Sequence, residues 1–236
     1  MTSPETDPAI PEVSPGQFAQ EPVSQEPAAR TGIPWEDPEL SRPTALGRTL
    51  KAVLWQPGKF FRAVPRGGWS EALAFGLLLG TTGFAASLFW NLLSHLGAGR
   101  PLGLFALLQF RSLGHGGIII LMALSPAVVL ANLGLSSLCL WGAVSLQGVT
   151  GPEKFLRVWR IFNYAQAGMA AALIPFLGGP AGSLWVLYLT YKGIREVFAM
   201  SGGRAAGVLG LSVLFQAMLL GLLMLGAIGL PRLLLR

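Results

Sequence analysis

The sequence predicts an all-α membrane protein: a five-span helical bundle preceded by a disordered N-terminal tail and basic amphipathic interfacial helices. Three observations carry that reading. Hydrophobic residues make up 52% of the 236 and charged residues only 12%, about half the ~25% charge of a soluble domain. Uncharged runs long enough to cross a bilayer, about 20 residues, recur from Ala72 onward. The cations gather at the ends of those runs, the pattern that sets membrane topology.

The first element is the tail, residues 1–32. Eight of the eleven acidic residues fall between Glu5 and Glu39, with Arg30 the only cation there. Rich in Pro, Glu, Ser and Ala, the tail has too little apolar surface to offset its ordering entropy, so disorder is expected. The opening "MTSPETDPAIPEV" is acidic and lacks an apolar h-region, so no cleavable signal peptide is expected.

Residues 33–68 form the collar. Leu46, Leu50, Val53 and Leu54 recur at helical spacing while Arg48 and Lys51 point elsewhere. Thr44 is placed to cap the helix, and Gln56-Pro57-Gly58 ends it. A second short helix is expected with Pro57 in its first turn and Phe60, Phe61 and Val64 on one side. Neither is long enough to span. Short, basic and amphipathic, they fit helices in the headgroup plane, cations toward anionic lipid and the two phenylalanines at the acyl boundary. Packing onto the cytosolic ends of the spans is the compatible alternative. The candidate membrane or partner contacts are therefore Trp35, Lys51, Lys59, Phe60, Phe61 and Arg62, joined by Lys192, Arg195 and Glu196 at the exit of the fourth span.

The bundle occupies residues 69–236, with spans expected at about 72–93, 126–147, 155–176, 181–200 and 205–230. The first contains Gly76 and Gly80 at a spacing that permits close helix contact. A loop from Ser94 to His115 follows, and Pro126 marks an entry or kink ahead of the second span. The third and fourth are separated by "PFLGGPAG", read as a tight hairpin; one continuous kinked helix, hence four spans, is the alternative. Twelve cations fall on the N-terminal side of these spans and Arg100, Arg111, Arg232 and Arg236 on the other. This places the N-terminus in the cytoplasm and the C-terminus outside.

Apparatus for catalysis is absent from the pattern. His95 and His115 lie far apart without a Cys or carboxylate at zinc spacing, and no phosphate-binding glycine loop follows a strand. The lone Cys139 lies in an apolar run and has no partner for an internal disulfide. The expectation is no enzyme, no cofactor and no metal. The cations are scattered between apolar runs, which argues against nucleic acid as a partner. Asn132, Asn163, Gln166 and Gln216 are expected to face other helices, since they are costly against lipid; a polar path for a small solute is the other reading. Glu196 is expected to pair with Lys192 at i,i+4.

Three stretches carry a family resemblance. "IPWEDPE", "TLKAVLWQPGKFFRAVP" and "EALAFGLLLG" in succession resemble the opening of a bacterial Yip-domain protein, of the Yip/Yif, Rab-interacting type. "FLRVWRIFNYAQAGMAAALIPFLGG" is similar to that family's third span. "SLWVLYLTYKGIREVFAMSGGRAAGVL" is similar to its fourth span and the start of its fifth. The residues that carry the likeness are Pro57, Tyr164, Pro175, Gly178, Gly179, Trp185 and Gly193. The Asp-Leu-Tyr-Gly-Pro motif of eukaryotic members is absent, its place taken by "GGWSEALAFG". The resemblance implies five spans, a cytoplasmic N-terminus and no known catalysis, with vesicle trafficking and prenylated small GTPases the eukaryotic setting. The expected role is non-enzymatic: organising membrane or recruiting partners at the cytosolic face. The expected partners are the lipid bilayer and other membrane or cytosolic proteins, or a second copy. A small-solute transporter or channel component is the alternative.

Overall fold

The computed structural model describes residues 32–64, 68–98, 114–149, 151 and 153–234. The tail up to residue 31 and the cations Arg66, Arg100, Arg111 and Arg236 lie outside the described residues. Within them, the regular elements are all helical. A 3-10 turn, Pro34–Glu36, is followed by α1 (Arg42–Trp55), α2 (Pro57–Arg62), α3 (Ser70–Ala98), α4 (Gly114–Ala123) and α5 (Ser125–Leu146). Then come α6 (Lys154–Ala165), a 3-10 helix (Gln166–Leu173), α7 (Gly178–Val197) and α8 (Gly202–Leu234). Among the described residues three helices are long and apolar enough to cross a membrane: Ser70–Ser94, Ser125–Leu146 and Gly202–Leu223. The remaining two expected spans are built differently. The first is α-helical for 12 residues and continues as an 8-residue 3-10 helix; the second, α7, carries Lys192, Arg195 and Glu196 in its last turns.

Local chemistry explains the breaks. Pro126, in the first turn of α5, lacks the N–H that a continuous α4–α5 helix would need, and only Leu124 separates the two. Between α5 and α6 the chain reverses through Gly148 and Gly151, whose φ angles of +76° and +132° suit residues without a Cβ. The helix α7 ends in a Schellman turn: the Met200 N–H reaches the Arg195 carbonyl at 3.0 Å while Ala199 takes a φ of +50°. The connection after the 3-10 helix is a hairpin, with Phe176 in left-handed conformation at φ +64°. Its two arms touch backbone to backbone. A Cβ on Gly178 would collide with the Ala171 carbonyl, and one on Gly168 would lie 2.7 Å from the Val186 nitrogen.

On α3 the expected Gly76 and Gly80 contact extends by one further turn to Gly83. These glycines lie against Asn163, Val129 and Met169 respectively, so α3 is the wall on which α5 and the hairpin pack. A second apolar cluster, including Leu140, Val144, Ile194 and Val208, joins α5 to α7 and α8.

The collar corrects the sequence reading in two places. The helix α1 starts one turn earlier than Thr44, with Ser41 at the N-cap position and Pro43 in the first turn. More consequentially, Phe60 and Phe61 do not reach lipid: they are 5% and 1% exposed, inside the main core. The helix α2 lies against α7, where Gly193 has no side chain; a Cβ there would sit 3.3 Å from the Phe61 ring and collide with Ile161. Phe60 meets the Tyr164 ring edge-on at 5.3 Å. The inner face of α1 (Ala45, Thr49, Val53) is likewise buried.

Gly193 is thus the seat of the collar. Gly193→Ala is expected to cost about 1–3 kcal/mol through overpacking, read as a lower melting temperature of the full chain in mild detergent. Gly210→Ala, on the same footing but with open space around it, is expected to be neutral or slightly stabilising.

Candidate functional site

The segment Ile33–Glu36 docks onto the end of the bundle where α3 begins. Ile33 is fully buried. The Trp35 ring packs edge-on against Phe75 at 5.7 Å, and its indole N–H donates to the Glu71 carbonyl at 2.8 Å. This brings the Glu36 carboxylate against α6. There Arg160 Nη2 donates to Glu36 Oε1 at 2.5 Å, and Arg160 Nη1 donates to the Gly68 carbonyl at 2.6 Å. The Tyr164 hydroxyl donates to the same Glu36 oxygen. Arg160 and Tyr164 stand at i,i+4 and so share a face of α6, with the guanidinium carbon 5.8 Å from the Tyr164 ring centre.

The ion pair is dry: the side chains of Arg160 and Glu36 are 2% and 7% exposed. Removing both charges from water costs several kcal/mol per ion, and their attraction repays this only with good geometry and extra hydrogen bonds. The Gly68 carbonyl and the Tyr164 hydroxyl each supply one such bond, while the buried Arg160 Nε is left without a partner. Such a pair adds little net stability but penalises any arrangement that separates it. It is a clamp that fixes where the collar sits.

A second tie lies at the rim. Arg62 Nε donates to Glu196 Oε2 at 2.6 Å, linking α2 to the end of α7. This corrects the expected Lys192–Glu196 pair: the Lys192 ammonium instead sits 5.8 Å from the Tyr188 ring centre. Arg62 is largely exposed, so solvent screens this bond and it adds little to stability.

Of the residues singled out by sequence, Trp35, Phe60, Phe61, Tyr164 and Gly193 come together in one core, with Pro57 opening α2. Lys51, Lys59, Arg62 and Arg195 face outward. Pro175, Gly178 and Gly179 lie at the hairpin turn, at the other end of α7 from Glu196. Trp185 is half-exposed beside Tyr188, away from the clamp. Sequence reasoning missed Glu36 and Arg160. Counting Arg160 among the topology-setting cations hid its position, one turn before Tyr164 on the buried face of α6. Among the described residues no three His, Cys, Asp or Glu side chains are grouped to hold a metal.

Among known protein families, the Yip1 domain matches residues 51–225, from within α1 into α8. The chain belongs to the Yip1 domain family. No curated protein and no solved structure matches it significantly. Arg160, Tyr164 and Gly193 lie inside the part matched to the Yip1 domain, whereas Glu36 precedes it. The Yip1 family is not known as an enzyme family, and with these apolar helices the chain is a membrane protein.

Glu36→Gln leaves Arg160 buried without a counter-charge. It is expected to cost about 3–5 kcal/mol and to expose the chain around Ile33–Leu40 to limited proteolysis. Glu36→Met combined with Arg160→Met is expected to recover most of the melting temperature. A double variant as unstable as Glu36→Gln would remove the ion pair as the organising contact.

Proposed function

We propose that this Yip1 protein acts without catalysis, as a platform that recruits partners or organises lipid at the cytosolic face. The observation that supports this reading is the division of the collar. Its apolar side is spent on the bundle, while Arg48, Lys51, Lys59 and Arg62 remain exposed together with Trp55, which is 73% exposed. A basic surface carrying exposed tryptophan suits anionic headgroups or an acidic protein surface at the membrane. The clamp and the Arg62–Glu196 tie hold that surface in one orientation.

Five crossings gather the cations at the collar's end, the end that the positive-inside rule assigns to the cytoplasm. The α6 arm with its 3-10 extension is about 34 Å long and α7 about 30 Å, against a hydrocarbon core of about 30 Å. With these as the third and fourth crossings, chain direction alternates. The starts of α3, α6 and α8 and the ends of α5 and α7 then share the collar's side. The bonds from Arg160 to Glu36, from Arg62 to Glu196 and from Arg204 Nη2 to the Gln147 carbonyl support that common end. Our reading puts this in a bacterial inner membrane, with the C-terminus outside.

Two measurements test this. Alkaline phosphatase fused to the C-terminus is expected to be active in cells and a green fluorescent fusion there dark; the reverse pattern would remove the orientation or the fifth crossing. Arg48→Glu, Lys51→Glu and Lys59→Glu combined are expected to abolish cross-linking of the collar to neighbours in native membranes while leaving the melting temperature within about 1 °C, as for surface changes. Unchanged cross-linking would remove the platform reading.

A further inference from the structure

A cavity of about 490 Å³ lies between α3, α5, the 3-10 arm, α7 and α8, away from the collar's clamp. That volume is in the range of small-molecule sites. Among the described residues its lining includes no Asp, Glu, Lys, Arg or His, yet five uncharged polar side chains line it: Asn132, Ser136, Gln166, Gln216 and Ser183, the last donating to the Gly179 carbonyl at 3.0 Å. Gln216 Nε2 donates to Asn132 Oδ1 at 3.1 Å and to Ser136 Oγ at 2.9 Å. Both its donors are then in use and its oxygen is left over. The Asn132 amide N–H groups make no hydrogen bond among the described residues. Gln166 is only 6% exposed, lines the cavity, and its side-chain amide makes none either. The Gln166 amide is not sealed into the protein but opens onto the cavity, and Asn132 stands at its exposed edge. Turning any amide over leaves the same mixture of spare donors and acceptors, because each carries both.

The mouth decides what can enter. Val128, Leu187 and Val213 line the cavity and are also exposed on the outside of the bundle. They belong to the apolar belt, so the cavity opens sideways onto hydrocarbon and is reached from the bilayer.

We infer that this cavity binds one uncharged lipid whose head offers both a hydroxyl donor and ester carbonyl acceptors, a diacylglycerol-like molecule. Its head lies between Gln166, Asn132 and Gln216 while its chains leave past Val128 and Val213. An anionic phosphate finds no cation in the cavity. A hydrocarbon without a polar head leaves the amides unsatisfied. A water-soluble solute would have to cross the apolar rim. This inference is independent of the collar platform, and each can fail without the other.

The test uses the full chain in mild detergent, with dioctanoylglycerol as probe and binding read by native mass spectrometry and by the shift in melting temperature. One equivalent is expected to bind and raise the melting temperature. Dioctanoyl phosphatidate, with the same chains and a charged head, is expected to bind at least tenfold more weakly, as is the methyl ether of dioctanoylglycerol, which has lost its hydroxyl donor. A lost neutral hydrogen bond corresponds to roughly one decade of affinity. Gln166→Leu and Gln216→Leu are each expected to weaken the probe about tenfold, and Leu184→Ala, on the outer face of α7, to leave it unchanged. Should either Leu variant fail to fold, the phosphatidate and methyl ether comparisons on the wild-type chain still decide. No binding of dioctanoylglycerol, or equal binding of all three lipids, would overturn the inference.

Discussion

A carboxylate and a guanidinium enclosed in one dry site constrain everything around them, because neither tolerates losing the other. In this Yip1 protein the pair joins the segment ahead of α1 to the middle of α6, and its dependents can be traced outward. Glu36 reaches Arg160 only if Trp35 is seated on the first turn of α3, where its indole meets the Glu71 carbonyl. Arg160 reaches the Gly68 carbonyl only if the chain enters α3 at that point. Tyr164, bonded to the same carboxylate, presents its ring to Phe60 and Phe75 and so sets where α2 lies. One electrostatic contact therefore registers the collar, α3 and α6 against one another. Hydrophobic burial supplies the driving force, but it is non-directional. The ion pair selects one arrangement among many that would bury similar apolar area.

The cations of this chain perform two tasks that composition cannot separate. Arg160 is enclosed and neutralised, whereas Arg48, Lys51 and Lys59 keep their charge in water. Arg62 is intermediate, bonded to Glu196 yet mostly exposed. Each ion pair removes one positive and one negative charge together, so the net charge of +6 is unchanged by them; on α1 and α2 the exposed cations are Arg42, Arg48, Lys51, Lys59 and Arg62. The aromatics divide in the same way. Phe60, Phe61 and Trp35 fill the interior, while Trp55 and Trp69 remain outside, where an amphipathic ring suits a membrane interface.

Much of this architecture is legible in the sequence, because long uncharged runs, Pro-Gly punctuation and cation placement act locally. The hairpin at "PFLGGPAG" and the break at Pro126 follow from residues whose backbone limits do not depend on distant partners. Other features depend on tertiary context. Phe60 and Phe61 between cations read as an amphipathic insertion, and only the space left by Gly193, far along the chain, turns them inward. Glu196 has Lys192 one turn away, but α2 brings Arg62 closer. The α-to-3-10 change at Gln166 follows the close approach of Gly168 to α7, a contact no local pattern reports. The Asn and Gln side chains were expected to face other helices, and Gln216, Asn132 and Ser136 do meet across α5 and α8.

The distance along the chain between Glu36 and Arg160, 124 residues, also sets an order of events. Synthesis at about 5–20 residues per second leaves the carboxylate waiting several seconds, during which it stays hydrated and the collar has no seat. The clamp can close only after the chain has been made as far as α6, and Gly193 arrives later still. Docking of the N-terminal segment therefore follows synthesis of α6 and α7. The seated collar thus requires α3, α6 and α7 to have been made.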